Sequence, residues 1–227
     1  MLRQVIERTW ASVEVEETSV VFYEGGSKLR SSERRLFLPV RDDLPNVGRK
    51  TLACFEHVLE RKEFDVVFRT NCSSYVDLPN LRRFVDGHAR DQRFYAGSIR
   101  LHDGIAFASG SGYFLSRDLV ELVVALRDGW DHSLLDDVAL GALLAQQGIA
   151  PGPAPRRDYR SPAEVGTVDT EQFHFRCRTD SRGRLGDARI MVALHRAFCD
   201  ARGRRVPATI RAVERAERLW TSLARRA

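Results

Sequence analysis

This sequence of 227 residues lacks long apolar runs and paired cysteines. No apolar run approaches the roughly 20 residues that span a bilayer, and the N-terminal segment MLRQVIERTW has no apolar stretch typical of a secretory signal. The four cysteines lie too far apart for a structural zinc site and are too few for a disulfide scaffold: Cys54, Cys72, Cys177 and Cys199. We therefore expect a cytoplasmic protein with four free thiols.

The signature motifs of several protein classes are also missing. The sequence has no GxSxG elbow, no HExxH pair and no glycine-rich loop that ends in Gly-Lys-Ser/Thr. These absences argue against a serine hydrolase of the α/β class, a zinc protease and a P-loop nucleotidase. No known nucleic-acid-binding motif is present, so a nucleic-acid partner is not expected.

Basic charge is concentrated in the last third of the chain. Residues 151–227 carry 17 Lys and Arg against 9 Asp and Glu, whereas residues 1–150 carry 19 against 22. Such a tail suits the phosphates of a ligand, nucleic acid or peripheral contact with an anionic membrane, and charge alone does not choose among them. We predict a core of residues 1–150 and a basic C-terminal extension, residues 151–227, packed on the same domain.

Short apolar runs alternate with segments of helical period, which is typical of β-α units. Strands are predicted at residues 19–24, 36–40, 64–69, 93–99, 105–108 and 172–178. Helices are predicted at residues 47–61, 78–85, 116–127, 133–147, 185–199 and 206–223, with Asn46, Ser116 and Ser133 as caps. The helix at residues 47–61 would cross over between two parallel strands. The pattern predicts an α/β fold with a mixed, mainly parallel sheet flanked by helices.

Two polar segments are candidates for a ligand site. In open α/β sheets ligands bind beyond the carboxyl ends of strands, and the strand at residues 64–69 is followed there by a polar run: Arg69, Thr70, Asn71, Cys72 and Ser73. His174 and Arg176 would share one face of a strand, near Arg178, Arg182 and Arg184. These basic residues could bind a diphosphate or form a solvated edge, and the polar run could equally be a simple turn.

The pair Asp136 and Asp137 stands at the start of a predicted helix. One carboxylate there offsets the helix dipole, which is a structural role. A second is more than a cap requires and could serve as a general base, so spacing alone leaves both interpretations open. The segment from Gly110 to Gly112 predicts a tight turn at which a ligand can approach the backbone.

In order along the chain, five segments resemble those of the Fringe and β1,3-galactosyltransferase type of inverting glycosyltransferase. They are VIERTW with VVFYEG (residues 5–10 and 20–25), Asn46 with Lys50 and Thr51, FDVVFRTNCSSYVDL (64–78), ASGSGYFLS (108–116) and LDDVALG (135–141). The resemblance implies a GT-A-like fold, that of nucleotide-diphospho-sugar transferases. It also implies a nucleotide-sugar donor and a glycan or other hydroxyl acceptor.

The resemblance assigns roles to individual residues. Asp137 would take the proton from the acceptor hydroxyl, and Asp136 would orient it. The acceptor side would be shaped by Gly110, Ser111, Gly112 and Tyr113. The donor would be bound by Arg69, Thr70, Asn71, Ser73, His174 and Arg176.

This chain departs from the family pattern in two ways. Where the family has metal-binding aspartates, it has Asn71, Cys72 and Ser73, none of which is the hard anionic ligand that Mn²⁺ or Mg²⁺ prefers. Metal dependence is left open, and Arg69, His174 and Arg176 are predicted to supply counter-charge to the diphosphate. The resemblance also starts at the family's first helix, so the family's opening strand is expected upstream or in a differently built sheet. The alternative function is a catalytically inactive GT-A-like binding module with a basic tail.

Overall fold

The computed structural model describes residues 2–88, 93–166, 168–179, 184–208 and 210. Its strands are β1 (Phe22–Gly25), β2 (Arg30–Ser31), β3 (Arg35–Leu38), β4 (Val66–Thr70), β5 (Ser74–Val76), β6 (Tyr95–His102), β7 (Ile105–Ser116), β8 (Gly152–Pro153), β9 (Arg157–Tyr159) and β10 (His174–Cys177). Its α-helices are α1 (Leu2–Arg8), α2 (Val47–Arg61), α3 (Leu78–Asp86), α4 (Arg117–Ala125), α5 (Asp136–Ala145) and α6 (Leu185–Ala201). None of the helices described is long and apolar enough to cross a membrane.

Contacts divide the chain into two compact units. The larger unit comprises Val15–Asn71 and Arg82–Arg156, and the terminal unit comprises Met1–Glu14, Cys72–Leu81 and Arg157–Ala227. The division predicted at residue 150 rests on charge rather than on contacts and stays a prediction.

The larger unit contains two mixed sheets. In the first, of order β1-β3-β2, β1 is parallel and β2 antiparallel to β3. In the second, of order β4-β7-β6-β8, β4 and β6 both run antiparallel to β7, and β8 is parallel to β6. The α/β class is confirmed, but the prediction of a mainly parallel sheet is wrong.

The turn at Asp103 and Gly104 explains the antiparallel pairing of β6 and β7. Both residues have positive φ, 47° and 81°, as a two-residue hairpin turn requires. So short a connection can join only antiparallel strands, because parallel strands need a long crossover. The chain then continues as one strand through residues 105–116, so the turn predicted at Gly110–Gly112 is also wrong.

The predicted helix at residues 47–61 is confirmed as α2, but it joins β3 and β4, which lie in different sheets. The expected crossover between two parallel partners is therefore not formed. Asn46 does not cap α2 through its side chain. Instead Asp43 accepts the backbone N–H of Asn46 at 3.2 Å and caps a 3-10 turn, Leu44–Asn46, that leads into the helix.

The two predicted serine caps do not form either. The hydroxyl oxygen of Ser116 accepts the N–H of Phe94 at 2.9 Å, which ties the end of β7 to the chain entering β6. Ser133 donates its hydroxyl to Asp131 at 2.6 Å, and α5 begins only at Asp136. Both hydroxyls bond to other groups in place of the helix N–H groups.

The core of the larger unit holds α5 close to β7. Helices α2, α4 and α5 contribute Phe55, Val120 and Leu140 to one apolar cluster with Leu115 of β7. At Gly141 a Cβ atom would overlap Phe107 of β7. The absence of a side chain there lets the helix lie directly on the strand, and this packing sets where its first residues meet the sheet.

The terminal unit has a three-stranded sheet of order β5-β10-β9, in which β10 is antiparallel to β5 and parallel to β9. Tyr75 of β5 stacks on Phe198 of α6 at 5.8 Å between ring centroids. Trp10 donates its indole N–H to the carbonyl oxygen of Ser74 at 3.0 Å. The helix predicted at residues 206–223 lies largely outside the described residues.

Candidate active site

The carboxylate of Asp137 contacts the backbone of β7. Its Oδ2 accepts the N–H of Gly110 at 2.6 Å, and its Oδ1 accepts the N–H of Val138 at 3.0 Å. Strand β4 ends opposite Gly112, and the register of β6 shifts between Gly97 and Ile99, so Gly110 lies outside both ladders. A buried N–H without a ladder partner needs another acceptor, and Asp137 supplies it.

The lack of a side chain at Gly110 serves this contact and not a turn. A Cβ atom at position 110 would lie 3.1 Å from Oδ2 of Asp137 and 3.2 Å from its Cβ and Cγ. A side chain there would therefore crowd the carboxylate, which would have to shift by a few tenths of an ångström. The two motifs that the sequence showed separately, the glycine-rich segment and the acidic pair, form one arrangement.

Asp136 pairs with Arg69 of β4. Only 9% of the Arg69 side chain is exposed, and Nη2 donates to Oδ2 of Asp136 at 2.5 Å. Nη1 donates to the carbonyl oxygen of Gly110 at 2.6 Å, and Nε donates to the hydroxyl of Tyr23 at 3.0 Å. Each nitrogen of the guanidinium is thus engaged inside the larger unit, and Gly110 is held by Arg69 through its C=O and by Asp137 through its N–H.

The surroundings of Arg69 keep it charged. Burial lowers the pKa of Arg69, but Tyr23, Tyr113 and Asp136 raise it by more, and the net shift is upward. The guanidinium carbon lies 5.6 Å from the centroid of the Tyr113 ring, a distance suited to a cation–π contact. Tyr23 also lies 3.4 Å from the hydroxyl of Thr51, measured between the two oxygens.

The predicted acceptor residues lie within β7. Tyr113 is fully buried, and burial raises its pKa well above the ordinary value. Ser111 accepts two hydrogen bonds, one at its Oγ from Arg156 at 2.6 Å and one at its carbonyl oxygen from the hydroxyl of Thr70 at 2.6 Å. Gly112 pairs with Thr70 in the ladder. The roles of these residues in acceptor binding stay predictions.

The predicted donor residues are divided between the two units. Arg69, Thr70 and Asn71 belong to the larger unit, and Ser73, His174 and Arg176 belong to the terminal unit. Asn71 is half-buried directly after β4. His174 is 2% exposed, and its Nε2 lies 3.2 Å from the hydroxyl oxygen of Ser74. Arg176 is half-buried and is paired with Ser74 in the ladder. Their contribution to donor binding stays a prediction.

The residues at positions 71–73 do not fit a divalent metal. Asn71, Cys72 and Ser73 offer no carboxylate, and Nη2 of Arg184 donates to the hydroxyl oxygen of Ser73. The positive charge of this guanidinium would repel a metal ion at the same oxygen. In the described part of the chain, no three His, Cys, Asp or Glu side chains are grouped so that they could hold a metal ion.

Sequence reasoning missed Tyr23 and Arg156. Tyr23 contacts Arg69 across 46 positions of the chain, and Arg156 contacts Ser109 and Ser111 across 47 and 45. Tyr23 lies within the segment VVFYEG, but that resemblance gave it no role, and Arg156 lies in none of the five segments. No spacing pattern signals the partner of either residue. Tyr23 and Arg69 lie in strands of different sheets, and Arg156 lies between two strands, so only the packing of distant elements brings these residues to their partners.

No family model matches the chain. Its curated relatives are glycosyltransferases. It is 25% identical over 160 residues to UDP-GalNAc:beta-1,3-N-acetylgalactosaminyltransferase 2 of Mus musculus, covering 61% of this chain and 31% of the relative. The corresponding Homo sapiens protein is 26% identical over 131 residues, covering 50% and 26%.

A third relative, Beta-1,3-galactosyltransferase 6 of Mus musculus, is 29% identical over 198 residues, covering 69% of this chain and 59% of the relative. The chain therefore spans less than two thirds of each relative. These similarities support a likeness to β1,3-glycosyltransferases.

Proposed function

We propose that the chain is an inverting glycosyltransferase with a GT-A-like fold. It moves a sugar from a nucleotide-sugar donor to a hydroxyl of a glycan or another acceptor. The proposal is supported by relatives that are named as β1,3-glycosyltransferases. The observation that carries it is the half-buried carboxylate of Asp137, fixed by the N–H of Gly110 at 2.6 Å beside an acidic residue that an arginine neutralises.

Asp137 is proposed as the general base. A carboxylate has about four lone-pair positions, and two of those of Asp137 accept backbone N–H groups. The remaining positions can accept the proton of an acceptor hydroxyl. As that oxygen bonds to the anomeric carbon, the bond from this carbon to the diphosphate breaks on the opposite face, and the diphosphate leaves with the electron pair.

Asp136 and Arg69 are proposed to position the base. Asp136 precedes Asp137 at the start of α5, and its charge is compensated by Arg69 at 2.5 Å. Arg69 also fixes the C=O of Gly110, and the N–H of the same glycine fixes Asp137. This arrangement orients the base, as proton transfer requires.

The remaining assignments form part of the same proposal. The donor would meet the residues after β4, Asn71 among them, and the acceptor would meet residues 110–113. A cytoplasmic location and peripheral contact of the basic tail with an anionic membrane also stay proposals. The inactive alternative gains no support from the relatives, whose names all describe transferases.

The test combines donor binding with transfer in an Asp137→Asn variant. The amide oxygen of Asn can still accept the N–H of Gly110, so the fold should be kept. Wild-type protein is expected to show a raised melting temperature with at least one of the UDP-, GDP- and dTDP-sugars. The variant should keep that shift. With a panel of acceptors present, it should transfer the sugar, and so release nucleoside diphosphate, about 10²- to 10⁴-fold more slowly.

Asp118→Asn is the matched control, because Asp118 is an exposed carboxylate in the first turn of α4. It should transfer at the wild-type rate. Full activity of Asp137→Asn would refute the assignment of the base. A wild-type protein that binds no sugar nucleotide of the panel would favour the inactive binding module.

A further inference from the structure

Arg184 stands at the start of α6 and reaches the end of the polar run. Its Nη2 donates to the hydroxyl oxygen of Ser73, and its Nε donates to Oδ2 of Asp187. All three residues belong to the terminal unit. Ser73 is itself fixed, because its carbonyl oxygen accepts the N–H of Cys177, the last residue of β10, at 2.6 Å.

The carboxylate behind Arg184 is buried and rigidly held. Asp187 is 0% exposed, and its Oδ1 accepts the N–H of Thr179 at 2.7 Å and the hydroxyl of Thr179 at 3.0 Å. Gly186 allows this approach, since a Cβ atom there would overlap the side chain of Thr179. The anchor therefore fixes the direction of the guanidinium without requiring any ligand.

The outer part of the guanidinium is exposed among the residues that the structure describes. The Arg184 side chain is 47% exposed, and its Nη1 makes no hydrogen bond to the residues that the structure describes. An anchored guanidinium with a free edge matches the paired oxygens of a phosphate group. It repels a divalent cation at the same place.

We propose that Arg184 and Ser73 form a metal-independent site for the diphosphate of the donor, in which the guanidinium supplies the positive charge that a metal ion would otherwise provide. The identity of the ligand as a sugar-nucleotide diphosphate rests on the proposed function. The binding of a diphosphate group rests on the geometry of Arg184, Ser73 and Asp187. A charge supplied by Arg184 accounts for the lack of metal-binding carboxylates at residues 71–73.

The experiment measures binding of inorganic pyrophosphate and of UDP to the full chain by calorimetry, in EDTA and in Mn²⁺. Wild-type protein should bind both in EDTA, and Mn²⁺ should not tighten binding through this site. Loss of one charge-assisted contact in Arg184→Ala should raise Kd by about 10- to 100-fold. Arg160→Ala is the matched control, because Arg160 is an exposed arginine of the same unit, and it should bind nearly as wild type does.

Ser73→Asp provides a second variant that does not depend on the stability of Arg184→Ala. The new carboxylate would pair with the guanidinium and should weaken pyrophosphate binding as strongly. Unchanged binding in both Arg184→Ala and Ser73→Asp would overturn the proposal, as would loss of wild-type binding in EDTA.

The two proposals can fail separately. Metal-free pyrophosphate binding that requires Arg184, in a protein that transfers no sugar, would uphold this site and overturn the proposed function. Sugar transfer that needs Mn²⁺ and is indifferent to Arg184 would overturn this site and leave the proposed function intact.

Discussion

At the scale of single residues, Arg69 is a cation whose side chain is only 9% exposed. A buried cation is tolerated only when it is paired and hydrogen-bonded, and Arg69 meets three partners: Asp136, Gly110 and Tyr23. Removing it would leave the carboxylate of Asp136 and the carbonyl of Gly110 without their donor. The residue is therefore as much a structural element as a part of the site.

Arg69→Ala is expected to lower the free energy of unfolding by about 3–5 kcal/mol, because a half-broken buried pair leaves an uncompensated charge. Urea denaturation followed by circular dichroism measures this loss. Arg127→Ala removes a more exposed pair with Glu56 and should cost less than about 1 kcal/mol. Equal losses in the two variants would show that the Arg69 network contributes no more than a surface pair.

The sequence identifies polar residues after β4, but not the residues to which they bond. Thr70 and Ser73 were singled out because they follow a strand, and both make hydrogen bonds, but with partners at positions 111 and 184. The sequence does not encode such partners locally, since they depend on how distant strands and helices pack. The same reasoning places His174 at a site, whereas the fold buries it against Ser74.

At the scale of elements, the contact between α5 and β7 defines the candidate site. The helix begins at Asp136, and its second residue reaches the strand at Gly110. The strand in turn is irregular at that point, because β6 changes register between Gly97 and Ile99. An irregular ladder provides the free N–H group that holds the carboxylate.

Gly110→Ala is expected to displace Asp137 and the first turn of α5. The added Cβ atom would stand 3.1–3.2 Å from the aspartate, which is tighter than ordinary van der Waals contact. Unfolding free energy should fall by about 1–3 kcal/mol, and nucleoside diphosphate release should slow. Gly152→Ala, at a strand glycine where a Cβ atom meets nothing closer than 3.6 Å, is the control. Wild-type rates in Gly110→Ala would argue against Asp137 as the base.

Helices were predicted from sequence more accurately than strand directions. The helices predicted at residues 47–61, 78–85 and 185–199 match α2, α3 and α6 nearly to their ends, because a helix is stabilised by residues close in sequence. Strand direction depends on partners far along the chain, and the parallel sheet was inferred from alternation alone. The Asp103-Gly104 hairpin is the one local signal that favoured the antiparallel arrangement.

At the scale of the whole molecule, the terminal unit is assembled from three separate parts of the chain. Residues 72–81 contribute β5, and the later part contributes β9, β10 and α6. The edge of β5 is paired only by β10 among the described strands. A fragment that ends before β9 would leave β5 and the ring of Tyr75 without their partners.

A fragment of residues 1–156 is therefore expected to be cut by protease within residues 72–81, whereas the full chain resists cleavage there. Mass spectrometry of the products after brief digestion identifies the site. Cleavage within residues 95–116, which belong to the larger unit, should remain slow in both proteins. Equal resistance of residues 72–81 in the fragment would show that β5 does not need the later strands.

The contact between Gly110 and Asp137 also has a consequence for related sequences. The aspartate occupies the space that a side chain at position 110 would need, and it satisfies the N–H that the glycine leaves unpaired. The two positions should therefore covary: where a relative carries a smaller, uncharged residue at 137, glycine at 110 is no longer required. A relative that has lost both together would have kept the fold and given up the base.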